Sequence, residues 1–184
     1  MNLLKDNSQR YGLISQILHW AVAAVMIATY LSGEALVGTE NADRAAVMYW
    51  HVSLSIMVVG LFVIRAAWRI SQTSPDELNQ NKLLIVVHKL VVLTLYALPM
   101  ALTITGVMTL LAGGQAVGFF AMDFLDPWTT VDMPLSTRLQ DVHVILAHAV
   151  ITVFAVHILA ALWHQFVKRD GTLARMLPFV LGKS

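Results

Sequence analysis

Histidine is the residue of this chain with the most chemistry to offer. Of seven, four (His143, His148, His157 and His164) fall in one apolar run, Leu139 to His164. His143 and His157 are 14 residues apart. On a helix turning roughly 100° and rising about 1.5 Å per residue, they share a face and lie about 21 Å apart along the axis. Neutral imidazole is a common metal ligand. Two such rings on one face of a membrane-length helix suit two stacked metal cofactors, provided that other segments supply the opposing ligands. Cysteine is absent, which excludes disulfides and iron–sulfur clusters.

The elements that must position these rings are apolar and long. At 58% hydrophobic, 12% charged and mean hydropathy +0.69, the 184 residues are too apolar for a soluble domain, where roughly 25% of residues carry charge. Four segments are long enough to span a bilayer, which needs about 20 residues: 13–36, 47–70, 83–112 and 139–167. Pro99 is expected to kink the third. The link 71–81 is polar and contains Pro75, a loop. The stretch 113–137 is longer; its FFAMDFLDPW suggests a segment lying at the interface, with Trp128 at headgroup level. The apolar run after Arg10 is too long for a signal-peptide core and lacks a cleavage pattern, so the first helix is expected to be retained. The reading is a single membrane domain, all-α, a four-helix transmembrane bundle.

Charge sets its orientation. With the N-terminus inside, ten of the twelve basic residues fall on one side: Lys5, Arg10, Arg65, Arg69, Lys82, Lys89, Lys168, Arg169, Arg175 and Lys183. Arg44 and Arg138 fall on the other, with Glu34, Glu40, Asp43, Asp123, Asp126, Asp132 and Asp141. That asymmetry predicts two cytoplasmic termini. A net charge of +1 gives no sign of a nucleic-acid partner. Depth then sorts the histidines into level pairs, His51 with His143 near the outer side and His19 with His157 towards the inner side. Ionisable groups inside a membrane are costly, and each needs a partner or a function.

Zinc and copper sites gather three or four ligands in one small volume, whereas each level here offers two imidazoles from different helices. That suits bis-histidine haem iron; without cysteine, thiolate ligation and c-type attachment are excluded. Gly33, 14 residues after His19, lies where the first helix would pass the outer haem, and Gly60 and Gly106 could likewise permit close approach. Arg65, 14 after His51, faces the inner level and could pair with a propionate or anchor the span at the interface.

These residues carry a resemblance. RYGLISQILHW, the Trp50–His51 step, the His143/His157 spacing and the tail HQFVKRDGTLARMLP resemble the bacterial cytochrome b561 family over nearly the whole chain. Members are related to the cytochrome b subunits of hydrogenases and formate dehydrogenases. The resemblance implies two haem b groups, with His19, His51, His143 and His157 as axial ligands. It further implies a place in a bacterial inner membrane and electron exchange with ubiquinone or another membrane quinone. For some members the electron source is superoxide at the outer face, which would make the chain an enzyme. The rival expectation is a conduit serving a periplasmic redox protein, since the outer face is net acidic and would attract a basic partner. Bis-histidine ligation leaves no open coordination position, so the irons are expected to carry electrons rather than bind substrate.

The remaining histidines are assigned separately. His164, seven residues beyond His157 and nearer the cytoplasmic surface, is a candidate to hydrogen-bond a quinone and deliver a proton. His88 could join that pocket or bond a propionate. His148 is five residues after His143, some 140° around the helix, and is read as structural. Trp20, Trp50, Trp68 and Trp163 lie near span ends, where an interfacial belt accounts for them.

Overall fold

The computed structural model describes residues 3–39, 41–76, 81–120 and 122–177. Glu40 and Lys183, counted in the charge distribution above, lie outside the described residues, as does the side chain of Asp123. Four long helices dominate: α1 (Leu13–Gly38), α2 (Asn41–Ile70), α3 (Lys82–Ala112) and α4 (Met133–Trp163). All four are long and apolar enough to cross a membrane, and the fold class is an all-α four-helix transmembrane bundle. Their apolar side chains are turned outward. Leu93, Ile145 and Leu159 are 64%, 67% and 64% exposed, while Gln16 and Ser53 are among the most buried side chains. A soluble domain would not sustain this inversion, because contiguous exposed apolar surface is unfavourable in water. In lipid it is the expected arrangement.

Two helices begin earlier than the hydrophobic pattern predicts, at residue 41 instead of 47 and at 133 instead of 139. For α4 the cause is a capping signal ahead of the apolar run. The Asp132 carboxylate accepts the Leu135 N–H at 2.9 Å, and Pro134 occupies the first turn, where its missing N–H costs nothing. α3 runs through Pro99 without interruption. At its other end α4 passes into a π-helical turn, His164–Lys168. Arg169 (φ 53°) and Gly171 (φ 75°) then turn the chain away, the left-handed ending favoured where a helix stops.

The link between α3 and α4 holds a short antiparallel hairpin, β1 (Val117–Phe119) and β2 (Met122–Leu125), with a register irregularity at Val117/Gly118. The Phe120 N–H donates to the wholly buried Ser53 hydroxyl on α2 at 3.0 Å, and the Trp50 and Phe120 rings meet edge to face.

The described residues group into two compact units. The first comprises the segment up to Val22, Leu61–Tyr96 and the segment from Thr152; the second comprises Ala23–Gly60 and Ala97–Ile151. Every long helix contributes to both, so each unit receives one stretch of α1, α2, α3 and α4. The second unit also holds the hairpin. The first holds the N-terminal segment, where the Asp6 carboxylate accepts the Gly12 N–H at 2.7 Å and meets Arg69 at 3.4 Å. Long-range contacts there tie the C-terminal turn to α1. Gln16 Nε2 donates to the Arg175 carbonyl at 3.2 Å, and Trp20 Nε1 donates to the Met176 carbonyl at 2.8 Å. Trp68 Nε1 donates to Ser15 Oγ at 2.9 Å. Trp20 and Trp68 therefore have specific partners as well as positions near span ends.

Candidate cofactor site

Each unit brings one pair of imidazoles opposite each other across helices, with their planes steeply inclined. In the second unit His51 of α2 and His143 of α4 have ring centroids 6.2 Å apart, with planes inclined at 77°. Each Nδ1 meets one backbone carbonyl and one hydroxyl. His51 Nδ1 lies 3.0 Å from the Thr29 carbonyl and 3.0 Å from Ser32 Oγ, both on α1. His143 Nδ1 lies 2.9 Å from the Leu102 carbonyl and 3.3 Å from Thr105 Oγ1, both on α3. Donation to a carbonyl puts the proton on Nδ1 and leaves the Nε2 lone pair free to bind a metal.

Glycine makes these approaches sterically feasible. A Cβ at Gly33 would stand 3.0 Å from His51 Cε1, and one at Gly106 would stand 2.8 Å from His143 Cε1. A Cβ at Gly60 would meet nothing within 4 Å, so Gly60 leaves one face of α2 clear and touches neither ring.

The first unit pairs His19 of α1 with His157 of α4, centroids 6.4 Å apart and planes inclined at 60°. Here side chains predominate. Arg65 Nη1 lies 2.8 Å from His19 Nδ1, and its guanidinium stands over the Tyr96 ring at 6.0 Å. Trp20 packs edge-on to His19.

Both separations fit one metal between two rings. A metal–imidazole bond of about 2.0 Å, with the ligating nitrogen about 1.1 Å from its ring centre, places the two centroids about 6.2 Å apart. Among the described residues no group of three or more His, Cys, Asp or Glu side chains could hold a metal ion. Among them a zinc or copper site of ordinary composition has no donor set, whereas a cofactor bringing its own equatorial ligands needs only two. The residues present fit a haem at each pair.

His164, in the π-helical turn, belongs to neither pair. Its Nδ1 lies 2.5 Å from Asp170 Oδ2. Asp170 also accepts the Thr172 hydroxyl at 2.6 Å and the Thr172 N–H at 3.0 Å. Burial pushes the Asp170 carboxyl up, but the hydrogen bonds from Thr172 and His164 outweigh it and bring the group down to about 2. Asp170 was not visible as a partner in the sequence. Six residues along a continuous helix would have placed it on another face, and only the turn after Lys168 returns it to His164. The Asp-Gly step at 170–171 was the available signal. His148 Nδ1 bonds the Val144 carbonyl of its own helix at 2.8 Å and does not join the His51–His143 pair.

Four apolar helices presenting two facing imidazole pairs define a multi-pass membrane protein built to hold metal cofactors inside its helices. Residues 10–179 match the prokaryotic cytochrome b561 family. The chain belongs to that family and is a membrane b-type cytochrome, an electron-transfer protein. It is 29% identical to the cytochrome b561 homolog 2 of Escherichia coli, covering 94% of this chain and 93% of that one. It is 27% identical to the cytochrome b562 of Cereibacter sphaeroides, covering 91% and 94%. The probable superoxide oxidase CybB of Yersinia pestis is 26% identical, covering 92% and 97%.

Proposed function

We propose that this chain is a di-haem electron carrier of a bacterial inner membrane, with both termini cytoplasmic, exchanging electrons with the quinone pool. His19 and His157 ligate an inner haem b, and His51 and His143 an outer one. The observation that carries this reading is the spacing of the facing rings, 6.4 Å and 6.2 Å, each suited to one six-coordinate iron. Haem supplies reversible one-electron chemistry. The chain supplies ring orientation, a dry surround and electrostatics. Gly33 and Gly106 give the outer rings their room, Gly60 keeps α2 clear for a macrocycle, and Arg65 brings a fixed positive charge to the inner level. His164, held through Nδ1 by Asp170, offers Nε2 to a quinone oxygen and delivers a proton there, with His88 towards the same end of the molecule. Two electrons and two protons convert quinone to quinol.

The donor has two readings. The Yersinia pestis relative's name points to superoxide, which gives up one electron and leaves as dioxygen. A basic redox protein is favoured by the charge at the outer side. Arg44 is turned back onto the Leu36 and Thr39 carbonyls, leaving Arg138 against Glu34, Asp43, Asp126, Asp132 and Asp141. That balance repels an anion and attracts a cationic docking face. Haem-loaded protein exposed to a superoxide flux separates them: growth of reduced b-type bands supports the oxidase, and unchanged spectra support the conduit. In either case, mixing reduced protein with a soluble ubiquinone analogue should reoxidise the haems; failure to do so would overturn quinone exchange.

A further inference from the structure

We propose that Arg65 separates the two haems in reduction potential, holding the one between His19 and His157 above the one between His51 and His143. This rests on the ligand assignment proposed above. An imidazole that ligates through Nε2 carries its proton on Nδ1, and the group meeting that proton tunes the ligand. His51 and His143 both have a backbone carbonyl there, at 3.0 Å and 2.9 Å. Donation to a carbonyl makes the ring a stronger electron donor and favours ferric iron. His19 has instead the Arg65 guanidinium at 2.8 Å.

A guanidinium has five donors, no acceptor and a permanent charge. At 2.8 Å it donates to Nδ1, a contact the tautomer ligating through Nε2 cannot accept; with the proton on Nδ1 the two donors part, and the guanidinium stays beside the ring as a charge rather than as a hydrogen-bond partner. It confronts the ring with a cation, which disfavours the more positive ferric state and raises the potential. Among the described residues the carboxylate ion pairs are Arg69–Asp6 and His164–Asp170, and none of these carboxylates pairs with Arg65. Tyr96, under the guanidinium at 6.0 Å, helps retain it. A propionate drawn to Arg65 would not reverse the sign, because the cation would then cancel a charge that otherwise lowers the potential. An electron from the outer donor therefore comes to rest in the first unit, the unit that holds His164. One ferrous iron becomes ferric as one ferric iron becomes ferrous, with no proton required. The path is biased towards the quinone.

The test is a spectroelectrochemical titration of the full-length, haem-loaded protein. Two one-electron waves are expected. Arg65→Leu should lower the upper wave by at least about 59 mV, a tenfold change in the electron-sharing equilibrium, and leave the lower wave nearly in place. Arg65→Lys, which keeps the charge, should retain most of the gap. His51→Ala and His19→Ala proteins, each carrying one haem and an intact Arg65, assign the waves without altering the arginine; the His51→Ala protein should show the higher potential. The reverse order, or unshifted waves in Arg65→Leu at the correct haem content, overturns the proposal alone. Two haems in either single-ligand variant overturn the ligand assignment beneath it.

Discussion

The two histidine pairs share a spacing and differ in what surrounds them. His51 and His143 each have a backbone carbonyl and a hydroxyl at Nδ1, from Thr29 and Ser32 and from Leu102 and Thr105, and glycines at 33 and 106 admit their rings. Around His19 and His157 side chains predominate, with Arg65 and Trp20 on the His19 ring and Tyr96 beneath the arginine. A carbonyl contact survives side-chain substitution unless something is forced into the site. A side-chain-built site can be adjusted in steps. The second unit thus suits constant ligation, and the first suits tuning of potential and proton delivery.

That contrast can be broken most sharply by crowding the second unit. Gly106→Ala puts a methyl group 2.8 Å from His143 Cε1. Overpacking of this kind costs about 1–3 kcal/mol. The His51–His143 haem should be lost or strongly perturbed while the other is kept, as read from the reduced b-type bands. Gly33→Ala, with 3.0 Å to His51 Cε1, should do the same to a smaller extent. Gly60→Ala, with open space around it, should retain both haems. Equal effects at all three glycines would contradict a second unit shaped by ring–glycine contact.

The first unit should respond in degrees. His164→Ala should keep both haems and slow quinone reduction at least tenfold in stopped-flow mixing. Asp170→Asn, which keeps the shape but weakens the grip on Nδ1, should slow it less. An unchanged rate in both variants would remove this turn from the quinone site. The acid response is smaller. The Asp170 carboxyl sits at about 2, below an unfolded value of about 3.9. A depressed carboxyl pKa contributes stability that is present above the unfolded value and lost as pH falls through the folded one. The turn should therefore resist proteolysis unchanged from neutral pH down to about 4 and loosen between about 4 and 2. Loosening near pH 6 would mean that something other than Asp170 holds it.

Much of this was legible in the sequence, because a bilayer imposes length and charge rules that a single chain displays. The four spans, and the pairing of His51 with His143 and His19 with His157, follow from apolar length, Lys/Arg asymmetry and depth; the paired rings do lie opposite one another, and their ligation is the proposal. What escaped depends on contacts between distant residues or on features outside the hydrocarbon core. The hairpin at 117–125 lacks a strong turn dipeptide and is fixed partly by Ser53, 67 residues from Phe120. Extra turns at the starts of α2 and α4 lie in polar sequence that a span count ignores. The placement of Arg65 on His19 joins residues 46 apart on different helices. Face arithmetic puts Arg65 at the right level but cannot choose between a ring and a propionate.

The central claim is that four histidines hold two haems in two independent pairs. Its most direct measurement is the haem-to-protein ratio of the purified full-length chain and of its His19→Ala, His51→Ala, His143→Ala and His157→Ala variants. The account predicts two haems for the unmodified chain and one for each variant. The spectrum should be shared by His19→Ala and His157→Ala, with a second, distinct spectrum shared by the other two. Two haems retained in any one variant, or spectra that group the histidines differently, would contradict it.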